Sequence, residues 1–383
     1  MVTRQTRWCI ALLMTAAAAA TQAQAPLALD TVTVAKLPPA HPYRLYLTDL
    51  VLPHLPDGRM LVVDGRTMKI EGMVSTGAFA QTTLSPDRSE IYVATTYFSK
   101  LNRGDRSEWI LVYDGNTLEL KQEIPYPARH AQALPYLATM RTSADGRFIL
   151  VQNATPATSV SVVDRAQGTM VSEIATPGCY GVYPAKSAYR FSALCGDGTM
   201  LTISLDDQGK PIGKKRTPKF FDPDGDALFV APAQDGDTYY FPSFQGNVVA
   251  LDVGGEVATV SKQWSMLTPA DRKKGWRPSG FQPIALDSGS GTLYAGLHPK
   301  GYEGSHKDPI REIWAFDVAT GKRVARNVTP PVTGLAVGHG KDAQVYAYDA
   351  EHAAVIRFSG IRKLKKAAER KGLGDTPSQL EIQ

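Results

Sequence analysis

The chain has 383 residues, 43% of them hydrophobic and 21% charged, with a formal net charge of +5. That balance excludes a disordered or low-complexity chain and supplies ample material for a core. Length alone leaves open two ordinary domains or one large β architecture.

The first two dozen residues differ from the rest. Arg4 and Arg7 form a basic start, Cys9 to Ala20 is an apolar, alanine-rich run, and small residues follow through Ala25. This three-part pattern predicts a secretory signal peptide over residues 1–23, followed by an extension over 24–40. Cleavage after Ala23 is preferred to cleavage after Ala25, which leaves Pro26 first. Either cut removes Cys9, and losing Arg4 and Arg7 lowers the net charge to +3. The apolar run is shorter than the ~20 residues a bilayer core requires, and no later stretch is long enough to span one.

From His41 onward the chain repeats itself. An apolar strand ending in aspartate and a turn recurs at Asp64, Asp114, Asp164, Asp206, Asp252, Asp317 and Asp349, with intervals of 50, 50, 42, 46, 65 and 32 residues. Many copies follow a second unit, an Asp/Gly-rich turn and a strand, as in Ser143-Ala-Asp-Gly-Arg-Phe-Ile-Leu-Val. Short strands separated by such turns argue an all-β chain. A repeat of roughly 40 to 50 residues is the blade of a β-propeller, so residues 41–360 are expected to form seven blades. The strand Tyr43-Arg-Leu-Tyr-Leu is expected to complete the last blade and close the ring, which removes exposed sheet edges.

Two insertions interrupt the pattern. Ala94 to Gly104 begins as a strand and continues into Tyr97, Phe98, Lys100 and Arg103, where a plain turn is expected. Leu267 to Trp276 has helix punctuation: Thr268 as N-cap, Pro269 at the first position, Asp271 in the first turn and Gly275 as the stop.

Cys179 and Cys195 remain after the leader, an even pair in an exported chain that predicts one disulfide; two free buried thiols are the alternative. The seventeen-residue loop closed in this way is worth about 3 kcal/mol by loop entropy. Neither cysteine has a CxxC partner, so zinc and redox chemistry lack support. No phosphate-binding, dinucleotide-binding, GxSxG or HExxH motif occurs. His41, His54, His130, His298, His306, His339 and His352 are scattered; only His298 and His306 are close, at an interval that suits local loop hydrogen bonds better than a metal. Neither catalytic residues nor a metal site is therefore expected in this chain. Residues 361–383 form a basic tail with Arg362, Lys363, Lys365, Lys366, Arg370 and Lys371, expected to be a solvated helical end. Interleaved aromatics and a recognition motif are missing, so nucleic acid is not an expected partner.

Several stretches resemble the heavy subunit of the periplasmic quinoprotein amine dehydrogenases, the methylamine and aromatic amine enzymes. They are Pro42-Tyr-Arg-Leu-Tyr, Thr96 to Gly104, Gln152-Asn-Ala-Thr-Pro-Ala-Thr-Ser, Cys179 with Cys195-Gly-Asp-Gly, Leu267-Thr with Gly275-Trp-Arg-Pro-Ser-Gly, and His298 to Lys307. Their order and spacing carry the resemblance. It implies a seven-bladed propeller with one disulfide, a periplasmic location, and a complex of two heavy and two light subunits. The cofactor it implies is tryptophan tryptophylquinone, made in a small, cysteine-rich light subunit that also holds the catalytic base. This chain, with two mature cysteines, is not that subunit, and Trp109, Trp264, Trp276 and Trp314 are expected to be packing aromatics.

The implied reaction oxidises a primary amine to aldehyde and ammonia and passes electrons to a small copper protein of the amicyanin or azurin type. By the same resemblance Phe98 lines the substrate entrance, and Tyr97, Lys100 and Arg103 contact the light subunit. The Gln152 and His298 stretches look more like the aromatic branch, whereas Phe98 and Pro42-Tyr-Arg-Leu-Tyr look more like the methylamine branch. The competing reading is a stand-alone periplasmic propeller that binds a ligand without redox activity.

Overall fold

Strands with apolar residues on both faces must be covered on both faces, and a ring of radially arranged sheets does this. The computed structural model describes residues 36–131, 136–338 and 344–383. The expected signal peptide, the extension up to residue 35 and His339 lie outside the described residues.

Among the described residues the strands form seven antiparallel sheets, six of four strands and one of five. Blade 1 contains Arg44–Asp49, Arg59–Asp64 and Lys69–Ser75. Blade 2 is Ala78–Leu84, Glu90–Phe98, Arg106–Asp114 and Leu120–Tyr126. Blade 3 is Met140–Thr142, Phe148–Asn153, Ser159–Asp164 and Thr169–Ala175. Blade 4 is Cys179–Pro184, Arg190–Cys195, Met200–Leu205 and Pro211–Arg216. Blade 5 is Ala233–Asp235, Thr238–Pro242, Asn247–Asp252 and Thr259–Ser265. In blade 6 two short pieces, Arg277–Pro278 and Ile284–Asp287, share the first position beside Thr292–His298, followed by Ile310–Asp317 and Arg323–Val332. Blade 7 is Gly334–Val337, Val345–Asp349, Ala354–Ser359 and Lys365–Arg370.

Seven hydrophobic clusters fill the spaces between neighbouring blades, one at each of the seven interfaces. Blades 7 and 1 meet through Tyr346, Tyr348 and Val355 against Leu45, Leu47 and Leu380, so the ring is closed. The repeat extends to the backbone: in every blade the pairing of third and fourth strands shifts register, once in six blades and twice in blade 6. Such an irregularity increases local twist and bends the outer strand.

The tail corrects three expectations. Lys365–Arg370 is the outer strand of blade 7, not a helical end, and pairs with Ala354–Ser359. Pro377–Ile382 is fully buried and pairs antiparallel with Arg44–Asp49 as the innermost strand of blade 1. The propeller therefore runs past Gly360, and the ring is closed by the last strand of the chain. The strand beginning at Arg44 sits second in blade 1 and does not complete the last blade. Local composition favoured helix in Lys365–Arg370, but an unpaired sheet edge captured it.

The repeating aspartates are turn formers. Asp64 accepts from the Arg66 amide at 2.8 Å and the Thr67 hydroxyl at 2.9 Å, and Asp114 from the amides of Asn116 and Thr117. Each short acceptor holds the turn after its strand. Asp349 ends the second strand of its blade, whereas Asp64, Asp114, Asp164, Asp252 and Asp317 end third strands. The last interval is short because its repeat unit is displaced by one strand.

The disulfide joins Cys179 to Cys195 across the first two strands of blade 4, where the two residues are direct partners. The inserted helix is Pro269–Lys273, with Thr268 and Asp271 capping each other. Arg323 and Arg326 also reach Asp271, at 2.8 and 3.4 Å, and stack over Trp314 at 4.3 and 4.5 Å. Burial alone raises the Asp271 carboxyl pKa; the Thr268 and Arg323 hydrogen bonds outweigh it and bring the carboxyl down to about 2. An unfolded aspartate titrates near ~3.9, so this contribution is complete above that value and lost as pH falls toward 2. Asp271→Asn is expected to flatten the fall in melting temperature between pH 4 and 2; an unchanged slope in thermal melts rejects the assignment.

Candidate functional site

Antiparallel strands alternate in direction, so connections between first and second strands and between third and fourth share one face of the ring. The connections between second and third strands share the other with the connectors between blades. The turns at Asp64, Asp114, Asp164, Asp252 and Asp317 lie on the first face, and the Tyr97–Phe98 excursion lies on the second with the turn at Asp349.

In blade 2 the second and third strands have nine residues each, against five to seven for the second strands elsewhere. They remain paired through Phe98 opposite Arg106. The hairpin thus runs on past the usual strand length. Its tip is closed by the Ser99 amide on the Asp105 carbonyl at 2.9 Å and the Lys100 amide on the Arg103 carbonyl at 3.0 Å. Gly104 has φ of 94°, and a Cβ there would lie 2.4 Å from the Ser99 hydroxyl, so the turn demands glycine.

Strand alternation separates the two aromatics. Ala94, four pairs below Phe98 and so on the same side of the strand, belongs to the cluster between blades 2 and 3. Phe98 therefore stands on the blade 3 side and is half-buried. Tyr97 stands on the blade 1 side, where its ring lies 3.2 Å from the position of a Cβ on Gly77, and is 38% exposed. Lys100 and Arg103 are exposed at the tip. Leu101 stands between them, 75% exposed. Sequence reasoning missed it because a lone leucine in a polar turn carries no periodic signal.

Beneath Phe98 lies a buried charge network. Glu108 accepts from the amides of Arg129 and His130 at 2.8 and 3.0 Å and from the Arg106 guanidinium. The His130 Nδ1 is 2.9 Å from the same carboxylate, and its Nε2 is 3.2 Å from the Phe79 carbonyl. Both ring nitrogens thus lie against oxygen atoms of the hairpin region. Burial alone raises the Glu108 carboxyl pKa; hydrogen bonding and charge from His130, with Arg106, hold it below its ordinary value. The network fastens the connector between blades 2 and 3 to the root of the hairpin.

The same face carries a groove of about 330 Å³ with Tyr136, Phe229, Phe244, Phe281, Glu303 and His306 among its lining residues. His306 packs edge-on to Phe229 and Phe244 at 6.5 and 6.3 Å. Phe98 does not line this groove. The groove-forming phenylalanines lie far apart in the chain and carry no local signal, while His306 has only the sequence signature of a loop histidine. His298 does form the expected local bond, to the Ser305 hydroxyl at 3.1 Å.

Among the described residues one trio, His41, Asp64 and Glu71, presents potential metal-ligating atoms within 4.8 Å of one another. Arg44, 1% exposed, donates to Glu71 at 2.9 Å and already supplies the positive charge. The trio is an ion-pair network on that account. Trp276 and Trp314 pack at 5.1 Å under Arg326, as expected of structural aromatics.

The family model of the methylamine dehydrogenase heavy chain (MADH) matches residues 43–380. The chain belongs to this family. The heavy chain of Methylobacillus flagellatus is 25% identical over 353 residues, covering 91% of this chain and 87% of that one. The methylamine dehydrogenase heavy chain of Paracoccus versutus is 27% identical over 309 residues, covering 80% and 70%. The match to this heavy chain family includes both the Phe98 hairpin and the closing strand up to Leu380. Among solved structures, the periplasmic gluconolactonase of Pseudomonas aeruginosa aligns with a TM-score of 0.61 and 17% identity, covering 89% of this chain and 98% of that one. At that identity the likeness concerns the fold alone.

Proposed function

We propose that this member of the methylamine dehydrogenase heavy chain family holds a small quinone-bearing light subunit on the hairpin face and lines the path by which a primary amine reaches it. The observation that carries the reading is the elongated blade 2 hairpin, which presents half-buried Phe98 and exposed Tyr97 and Leu101 on the same face as an aromatic groove. Exposed apolar residues on the same face as a preformed groove suit a partner that covers that face.

In this reading the tryptophan tryptophylquinone belongs to the partner, since the best-packed tryptophans of this chain, Trp276 and Trp314, are buried under arginines. When bound in the complex that group accepts electrons from the amine. This chain's residues position and exclude. Phe98 limits the width of the amine path, and Glu108 with Arg106 and His130 holds the hairpin root rigid. Tyr97, Lys100 and Arg103 meet the light subunit at the rim, where single charges contribute little. The complex contains two heavy and two light subunits, works in the periplasm and passes electrons to a small copper protein.

The test is co-expression with the light subunit. The complex is expected to show quinone absorbance that bleaches on adding an amine, and the chain alone none. Phe98→Ala in that complex is expected to change the ratio of kcat/KM for methylamine and an aromatic amine by about 10-fold or more, in favour of the bulkier one, as pocket-size changes do. An unchanged ratio removes Phe98 from the entrance. Failure to capture any light subunit favours the stand-alone propeller.

A further inference from the structure

The first strands of the blades line the axis of the ring. Toward the aspartate-turn face this channel holds a cavity of about 160 Å³ whose charged lining residues are Arg88, Arg141 and Glu381. Arg88 comes from the connection between the first two strands of blade 2, and Arg141 from the first strand of blade 3. Lys186, on the matching connection of blade 4, is close enough that both guanidiniums, after burial, lower its ammonium pKa. Three consecutive blades thus aim cations at one end of the axis.

These cations are poorly compensated. Arg141 donates to the neutral Gln234 side chain at 3.2 Å. Among the described residues neither Arg88, Arg141 nor Lys186 has a carboxylate within ion-pair distance. Asp237 accepts from the Lys186 backbone amide, and its charge partly offsets the two guanidiniums at the Lys186 ammonium. Glu381, 8% exposed, accepts from the Gln379 amide at 3.1 Å. Burial raises its carboxyl pKa against the pull of Arg88 and Arg141. The wall therefore carries more positive than negative charge in a concave site. Like charges gathered there cost stability unless an anion joins them, and paired guanidiniums match the oxygens of a carboxylate or phosphate.

We propose that this end of the central channel is a binding site for a small oxyanion, held by Arg88 and Arg141 with Lys186 at the mouth. The site lies on the face opposite the Phe98 hairpin, so it stands or falls independently of the amine dehydrogenase reading. The ligand class is an inorganic phosphate or a small carboxylate, which share the required geometry.

The test is calorimetric titration of the purified mature chain with sodium phosphate and, separately, sodium acetate at constant ionic strength. Saturable 1:1 binding of at least one anion is expected, weakened tenfold or more by Arg88→Gln and by Arg141→Gln, and tightened by Glu381→Gln. Preference for phosphate or acetate identifies the source. Thermal melts check each variant for folding; should Arg141→Gln fail to fold, Arg88→Gln and Lys186→Ala, both in connections between strands, decide the matter. Three results overturn the site: no saturable heat with either anion, equal binding in the variants, or a melting temperature raised no more than by the same concentration of chloride.

Discussion

A chain ending at Thr376 is expected to show no cooperative thermal transition near that of the intact protein. Residues 377–382 supply the innermost strand of blade 1, and every one of them is buried. Leu380 and Ile382 pack in the cluster between blades 7 and 1; burying each such side chain is worth about 1.5–3 kcal/mol. The strand also satisfies others: the Tyr348 hydroxyl donates to the Ser378 carbonyl at 2.6 Å, Gln282 Nε2 to the Leu380 carbonyl at 3.0 Å, and Gln379 Nε2 to the Thr82 carbonyl at 3.1 Å. Without it the Arg44–Asp49 strand becomes an unpaired edge at the axis of the ring. Against a total stability of about 5–15 kcal/mol these losses are decisive. Circular dichroism melts and gel filtration of intact and truncated chains check the outcome; a truncated chain that melts within a few degrees of the intact one sinks this account of ring closure.

Glu108→Ala is expected to destabilise the protein by about 3–5 kcal/mol, the usual consequence of removing one partner from a buried ion pair. The substitution leaves His130, which is 1% exposed, and the Arg106 guanidinium without their carboxylate. The amides of Arg129 and His130 lose their acceptor as well. Glu108→Gln keeps the shape and one acceptor oxygen, so its loss is expected to be smaller. Urea denaturation midpoints measure both. Because the native carboxyl is held below its ordinary value, its contribution is present above the unfolded glutamate range and lost as pH falls below it. If the alanine variant unfolds at the wild-type urea concentration, the network does not hold the hairpin root.

Much of the scaffold was legible in the chain because it repeats. Each strand-plus-aspartate unit is a local object: alternating apolar residues set the strand, and the carboxylate sets the turn by bonding amides two or three residues on, as at Asp114. The inserted helix was legible for the same reason, since Thr268, Pro269, Asp271 and Gly275 act on neighbours within one turn. The Cys179–Cys195 pair joins strands adjacent in sequence, and parity alone pointed to it.

The site was less legible. Tyr97 and Phe98 are adjacent in sequence yet stand on opposite faces, because the hairpin continues strand geometry where a loop was the natural expectation. The aromatic groove collects Tyr136, Phe229, Phe244 and His306 from connectors that only ring closure brings together. Glu108 and His130 are separated by a full strand, and neither belongs to a motif.

The amino-acid sequence by itself determined the blade: its strands, its turns, its repeat length and therefore the number of blades, all products of short-range pattern and hydrogen bonding. Only the tertiary structure decided how the ring closes and what its two faces present. Lys365–Arg370 has helix-forming composition, and Pro377–Ile382 is a short polar-looking end, yet both are strands because a sheet edge elsewhere in the molecule requires a partner. The convergence of Arg88, Arg141 and Glu381 at the axis has the same origin, since residues hundreds of positions apart meet once seven first strands share one channel.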